Sequence, residues 1–560
     1  MSTFVYNDGN FEFENKEKLE LTFGLFFDGT TNNLYHTQIR KKVEKKGEFA
    51  DQTASSDDRD IYAKFGHNDS FGNDFTNVAR KYMHTDRNEY SIYIEGIGTV
   101  GKEVEKKNDD STGATYGRGI TGIIAKVASG CKQLAKEIQK KKDKREEDEN
   151  SKITQLILTI DAFGFSRGAA AARHFLHNLQ KEAYEPSVQT VNTVHNVNPS
   201  QAVIKTDYAG NPINDSWLKD GKLPCSGFLG IALLQAGIAR ELIETMKINV
   251  RFLGVYDTVA SFDPNSLLIP NFEKHIGQLH LHDLGNPTRA VHYTAADEHR
   301  KNFSLTRLNI GKEINFPGVH SDVGGSYNHD PIIKKDSVKQ DEYINKAKKA
   351  KFIQPHTPTP NTCEYEIVIL KEGNIRKNLE RFRDELVQEG WFHPEQIKIR
   401  YKYIHPIFNK EIRGERILEG KYSFIPLHFM SEEALVYLSE KLKMGKLLED
   451  YALEDEFLEK VKSYIGEHLI KKGETKWELK DPNRTFYNKP FLLTEEEPTA
   501  SDEISTTPSI LLEEVEVTAY VSDSMLKKLR NRYLHWSAKL NTITDTLAHA
   551  PAKNRIRNEF

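Results

Sequence analysis

The chain has 560 residues, 38% hydrophobic and 29% charged, enough to bury a sizeable core behind a very polar surface. Its 78 basic and 82 acidic residues leave a formal charge of -4, which gives no electrostatic footprint for nucleic acid. Three widely spaced cysteines, Cys131, Cys225 and Cys363, form neither a disulfide framework nor a zinc-ligand pattern and read as inert thiols.

From the start, "MSTFVYNDGNFEFENKEKLE" lacks a basic stretch followed by an apolar run, so no signal peptide is expected. "LTFGLFFDG" (21–29) reads as a strand ending in a turn, and the polar stretch between Arg40 and Asn73 as a long surface loop. "YSIYIEGIGT" (90–99) is a second strand. The Gly-rich "GATYGRG" (113–119) lacks G-K-[ST] and is discounted as a nucleotide loop. A helix follows near 120–148, then "ITQLILTIDAFGFS" (153–166), apolar enough for a central parallel strand buried on both faces.

That run closes on "GFSRGAAAAR" (164–173), which fits G-x-S-x-G, the nucleophile elbow. A strand that turns sharply into a helix holds its serine in strained backbone geometry. Side chains at Gly164 and Gly168 would collide with neighbouring backbone, and the alanines that follow let the helix lie close on the sheet. Ser166 then stands at a helix start, where the N–H of Arg167 faces the place an oxyanion would form. The plain alternative is a Gly-punctuated strand-to-helix turn.

A serine hydrolase of this kind needs an acid and then a histidine, each past the end of a later strand. Asp257 closes the apolar run "INVRFLGVYD", and His320 lies in a loop after "INFPGV". If the three meet, His320 takes the Ser166 proton and Asp257 fixes the imidazole tautomer. Asp283, Asp297 and Asp322 compete as acids; His282, His292 and His299 compete as bases but read as parts of a connecting loop or helix. The loop "FFDGTTNN" (26–33) carries two compatible readings: Asp28, Thr30 and Thr31 cap a helix, or the backbone of Gly29 or Thr30 supplies a second oxyanion donor.

"CSGFLGIALLQAGIA" (225–239) is the longest apolar stretch, too short to span a bilayer. It reads as a buried core helix. Residues 331–362 form a connecting segment, 363–494 an α+β accessory region of strands ("CEYEIVIL", "QIKIRYKYI") and amphipathic helices, and 495–509 a linker. A β-rich run and a basic helix occupy 510–560. The composite expectation is an α/β fold over 1–330, a mostly parallel sheet with helices on both faces, plus a C-terminal α+β appendage.

Taken together, "FFDGTTNN", "YIEGIGT", "GFSRGAAAAR", "GVYDTVAS" and "PGVHSDVGGSY" resemble the motif series of the type VI secretion lipase effectors, over roughly residues 20–330. The resemblance implies an α/β-hydrolase fold and phospholipase A activity on membrane glycerophospholipids without a cofactor or metal. It implies an antibacterial toxin made in the bacterial cytoplasm and delivered to a competitor's periplasm. It also implies an immunity protein and a type VI spike or carrier as partners. It places the nucleophile on Ser166, the acid on Asp257, the base on His320 and the elbow arginine on Arg167. It further suggests that Phe228, Leu229 and Leu233 belong to a lid or lipid-contacting segment, and that the region after 330 docks on a membrane or carrier. The rival readings are another esterase or thioesterase on the same residues, and a non-catalytic secretion adaptor.

Overall fold

The computed structural model describes residues 17–45, 49, 51–99, 101, 121–149, 152–195, 198–208, 210–260, 272–300, 302–328, 363–371, 379–404, 407–472, 523–537, 557 and 559. The glycine-rich stretch 113–119, the connecting segment 331–362, the linker 495–509 and the β-rich run of 511–521 lie outside them.

Six parallel strands build the central sheet: β1 (Glu17–Phe27), β2 (Ser91–Ile94), β3 (Ile153–Phe165), β6 (Lys247–Tyr256), β7 (Arg289–Ala295) and β8 (Lys312–Phe316), in the order β2-β1-β3-β6-β7-β8. The longest, β3, sits inside and is fully buried over its last residues, because a parallel strand covered on both faces has no polar side to show. Strands β4 (Ser187–His195) and β5 (Asn198–Thr206) form a separate antiparallel hairpin. Strands β9 (Cys363–Lys371), β10 (Ile397–Ile404) and β11 (Ile407–Glu419) form an antiparallel sheet in the order β10-β11-β9.

On one face of the central sheet lie the helices Ile123–Glu149, Arg167–Leu179 and Gly227–Gln235, sharing one apolar cluster. Leu229 and Leu233 are wholly buried in that cluster and Phe228 nearly so. The helix packs against both neighbours, so these three side chains face the core, as the buried-helix reading expects rather than the lid one.

The other face is covered by later sequence. Phe429 and Met430, on the helix Phe424–Leu438, share a second apolar cluster with Phe163, Phe252, Tyr293 and Phe316 of the central sheet and with Trp391, Leu529 and Trp536. The described residues of 363–472 and 523–537 thus share buried apolar contacts with the core of the first 330. The basic segment expected near 524–540 is the helix Asp523–Arg532.

Two further readings change. The polar stretch after Arg40 is helical, with Leu34–Glu44 and Ser56–Phe65; Ser55 and Asp58 form a reciprocal capping box that starts the second helix. His292 lies on β7, where one histidine among "RAVHYTA" had masked a short buried strand.

Leu233→Ala should lower stability by about 2–5 kcal/mol, as for other buried leucines, read as a clear drop in melting temperature. A side chain on a mobile lid would leave the melt unchanged.

Candidate active site

At the end of β3 the chain turns at Ser166 with φ 58° and ψ -129°, then enters the helix Arg167–Leu179. This positive φ in a non-glycine residue is backbone strain held in place by its surroundings. The Ser166 N–H donates to the Tyr256 carbonyl at 3.0 Å, and its own carbonyl accepts from Ala169 at 3.0 Å. A Cβ on Gly168 would come within 2.2 Å of the Asp28 carbonyl oxygen, and one on Gly164 within 2.6 Å of the Ala169 Cα. Both glycines are therefore required by close approach, and Ala169–Ala172 are fully buried where the helix meets the sheet.

Next to β3, β6 ends at Asp257, which also has positive φ (40°). Its carboxylate has no exposed surface and is surrounded by donors. Oδ1 accepts from the Ala295 N–H at 2.9 Å, and Oδ2 faces His320 Nδ1 at 2.5 Å. Arg557 closes a fork on it, Nη1 to Oδ1 at 2.7 Å and Nη2 to Oδ2 at 2.8 Å. Burial alone would raise the Asp257 pKa, but Arg557 and His320 outweigh it and hold the carboxyl well below its ordinary range. The group is a carboxylate in the folded protein.

His320 follows β8 as the first residue of the short helix His320–Gly324, where the sequence suggested only a loop. Its ring packs against Phe165 (centroids 4.5 Å apart) and edge-to-face against Phe303 (4.9 Å). Burial lowers its pKa, and the Asp257 hydrogen bond opposes that only in part. With Nδ1 donating to the carboxylate, the neutral tautomer carries its free electron pair on Nε2. Ser166 is 5% exposed and His320 4% exposed. Neighbours link these residues: the Phe165 ring, beside Ser166, lies tilted against His320, and the Tyr256 carbonyl, beside Asp257, accepts from the Ser166 N–H.

Three consecutive N–H groups of the histidine loop end on three buried carboxylates. Gly318 donates to Asp297 (2.7 Å), Val319 to Asp322 (3.0 Å) and His320 to Glu298 (3.2 Å). Each carboxylate is bound in turn from the segment after 523: Asp297 by Arg530 (3.1 Å), Asp322 by His535 Nδ1 (2.6 Å) and Glu298 by Ser537 (3.0 Å). Asp297 and Asp322, the rival acids, thus hold the loop rather than the imidazole.

The remaining rivals are engaged elsewhere. Asp283 pairs with His177 and is 57% exposed. His292 faces Glu313 through Nδ1 (2.9 Å) and accepts from the Thr258 N–H through Nε2 (3.1 Å). His299 Nδ1 lies 3.0 Å from the Asp297 carbonyl, and exposed His282 offers its own carbonyl to Asn309.

The loop after β1 departs from its capping reading and keeps only Thr30 for the oxyanion one. The helix cap is Asn33, whose side chain accepts from the Tyr35 and His36 N–H groups. Asp28 instead accepts from Gly29 N (2.7 Å), Thr76 Oγ1 (2.6 Å) and the Tyr93 hydroxyl (2.6 Å), and burial pushes its pKa up to about 6. The Gly29 N–H, committed to that carboxyl, is withdrawn as an oxyanion donor. Arg167 lies over the same loop, its Nε donating to Thr30 Oγ1 at 2.8 Å, and burial lowers its pKa to about 10. Arg557, Glu298, Phe303 and the 530–537 segment were not found from sequence; no motif or periodicity marks them.

No curated protein matches the chain significantly. Among solved structures, the chain is similar to the Tle1 effector bound to the VgrG spike from the type 6 secretion system. Identity is 18%, the TM-score 0.41, and 84% of each chain is covered. It is also similar to an uncharacterized protein from Pseudomonas aeruginosa, at 18% identity and a TM-score of 0.24, covering 55% of this chain and 42% of that one. Scores this low add nothing to the assignment. The family model described as "T6SS, Phospholipase effector Tle1-like, catalytic domain" matches residues 24–340, a range that holds the end of β1, the other five strands of the central sheet, and Ser166, Asp257 and His320. The chain belongs to this family of type VI secretion phospholipase effectors.

Proposed function

We propose that the protein is a serine phospholipase A that hydrolyses acyl esters of membrane glycerophospholipids. The observation that carries this reading is the Asp257–His320 hydrogen bond of 2.5 Å, at strand ends flanking a serine held at positive φ. His320 Nε2 accepts the Ser166 hydroxyl proton as Oγ attacks the ester carbonyl. The tetrahedral oxyanion is met by the Arg167 N–H at the helix start, with Thr30 as the remaining donor of the loop after β1. Collapse breaks the ester bond: the lysophospholipid alkoxide leaves with the proton from His320, and the acyl group stays on Ser166. Water then gives up a proton to His320, attacks the acyl-enzyme and releases the fatty acid, restoring the serine.

Asp257 contributes by remaining ionised. It fixes the imidazole tautomer and stabilises the imidazolium without taking its proton. The site is nearly closed, so acyl-chain entry requires movement of what covers it. Membership of the effector family supports delivery by type VI machinery, with a spike protein as carrier, an immunity protein in the producing cell and action in the target periplasm. Among the described residues no helix is long and apolar enough to cross a membrane.

A fluorophosphonate probe should label the wild type at Ser166. Ser166→Ala should abolish labelling, and His320→Ala should slow it by several orders of magnitude, up to about 10⁶, the scale of losing a triad base. An unlabelled, natively folded wild type would favour an adaptor over an enzyme. Mass spectrometry of products from a lipid with two different acyl chains then reports which ester is cut; cleavage of acyl thioesters alone would contradict the lipid reading.

The base must be neutral to act, and burial holds the His320 pKa below its ordinary value. Hydrolysis should therefore persist below pH 6.5 and fall only as the pH drops through the lowered pKa. A kcat/KM profile on a short soluble ester checks this; a limb well above pH 6.5 would contradict it.

A further inference from the structure

The Ser-His-Asp reading accounts for three side chains but not for Arg557, whose position is defined on every side. Its Nε donates to the Phe303 carbonyl at 2.6 Å, and both terminal nitrogens reach Asp257. The Arg557 side chain is only 6% exposed and its partner is fully buried. Two residues on, Glu559 pairs with Arg307 at 2.7 Å and bridges in parallel register to Leu305, which bridges in turn to Val259. The strand end that carries Asp257 is thus laced to the 557–559 segment through backbone and through charge.

We propose that Arg557 is a positioning residue of the active site, fixing the plane of the Asp257 carboxylate and setting how basic His320 is. The proposal rests on the triad reading above. A guanidinium fork in the plane of a carboxylate leaves that carboxylate little freedom to rotate, so the oxygen facing Nδ1 is held in one direction. The same positive charge works against protonation of the imidazole beyond it.

The other charges around the ring are few. Asp257 favours the imidazolium; Glu298, at the His320 backbone, also favours it, and Arg300, paired with Glu298, opposes it. Asp322, on the same short helix as His320, is occupied by His535. Phe165 and Phe303 are the uncharged walls. Arg557 is the cation placed directly on the carboxylate that the imidazole uses. Removing it leaves the full negative charge of Asp257 to His320, and the imidazole is then protonated at higher pH.

The test is kcat/KM against pH on a short soluble ester, for wild type, Ser166→Ala, Arg557→Gln and Arg557→Lys, with melting curves for each. Arg557→Gln should move the acid limb up by about one pH unit, the scale of losing a neighbouring charge. Its activity below the limb should then be roughly tenfold under wild type, and the gap should narrow at high pH. Arg557→Lys, which keeps the charge but not the fork, should shift the limb less and reduce kcat. A Gln profile that superimposes on wild type, or that falls evenly at all pH values with a lowered melt, overturns the proposal. Should the Gln variant not fold, Lys decides: wild-type kcat and limb overturn the proposal, and a lowered kcat with a raised limb supports it. Hydrolysis that survives Ser166→Ala would sink the triad and this proposal together. A dead Ser166→Ala beside an unshifted Arg557→Gln would sink the proposal alone.

Discussion

A single buried charge organises this site. Asp257 has no contact with water, and an ionised carboxylate in such a place is tolerated only when paired and fully hydrogen-bonded. Its partners come from three separate parts of the chain: the Ala295 amide from the end of β7, the imidazole from beyond β8, and the guanidinium of Arg557. Meeting that demand holds the end of β6, the end of β7 and His320 beside one another. Each donor also protects the others, because losing one leaves the carboxylate short of a bond it cannot recover from solvent.

A second layer repeats this logic on the backbone. The N–H groups of Gly318, Val319 and His320 end on Asp297, Asp322 and Glu298, and Arg530, His535 and Ser537 anchor those acids. Buried networks of this kind set geometry more than they add stability, since satisfied partners leave few alternative arrangements. Residues 530–537 therefore belong to the architecture of the candidate site, although they lie outside the 24–340 match. The shared apolar cluster makes the same point in packing terms: Phe429 and Met430 roof the sheet that presents the serine.

The strained turn at Ser166 is held by contacts that admit no side chain at Gly164 or Gly168. Strain of this kind costs free energy, which the surrounding packing offsets. The fully buried helix from Arg167 to Leu179, on the sheet side and under its neighbours, supplies that packing.

What the sequence alone settled was local. The apolar run into "GFSRGAAAA", with small residues where backbone meets backbone, prescribes a strand, a tight turn and a helix within some twenty positions, because those sterics act between near neighbours. Asp257 and His320 were legible for a related reason, each closing or following an apolar run where a parallel strand must end. Tertiary structure decided the rest. The Gly29 N–H was claimed by an adjacent carboxyl whose burial no local pattern reveals. Arg557 meets Asp257 across 300 positions of chain. No periodicity links them, only the need of a buried charge for its opposite.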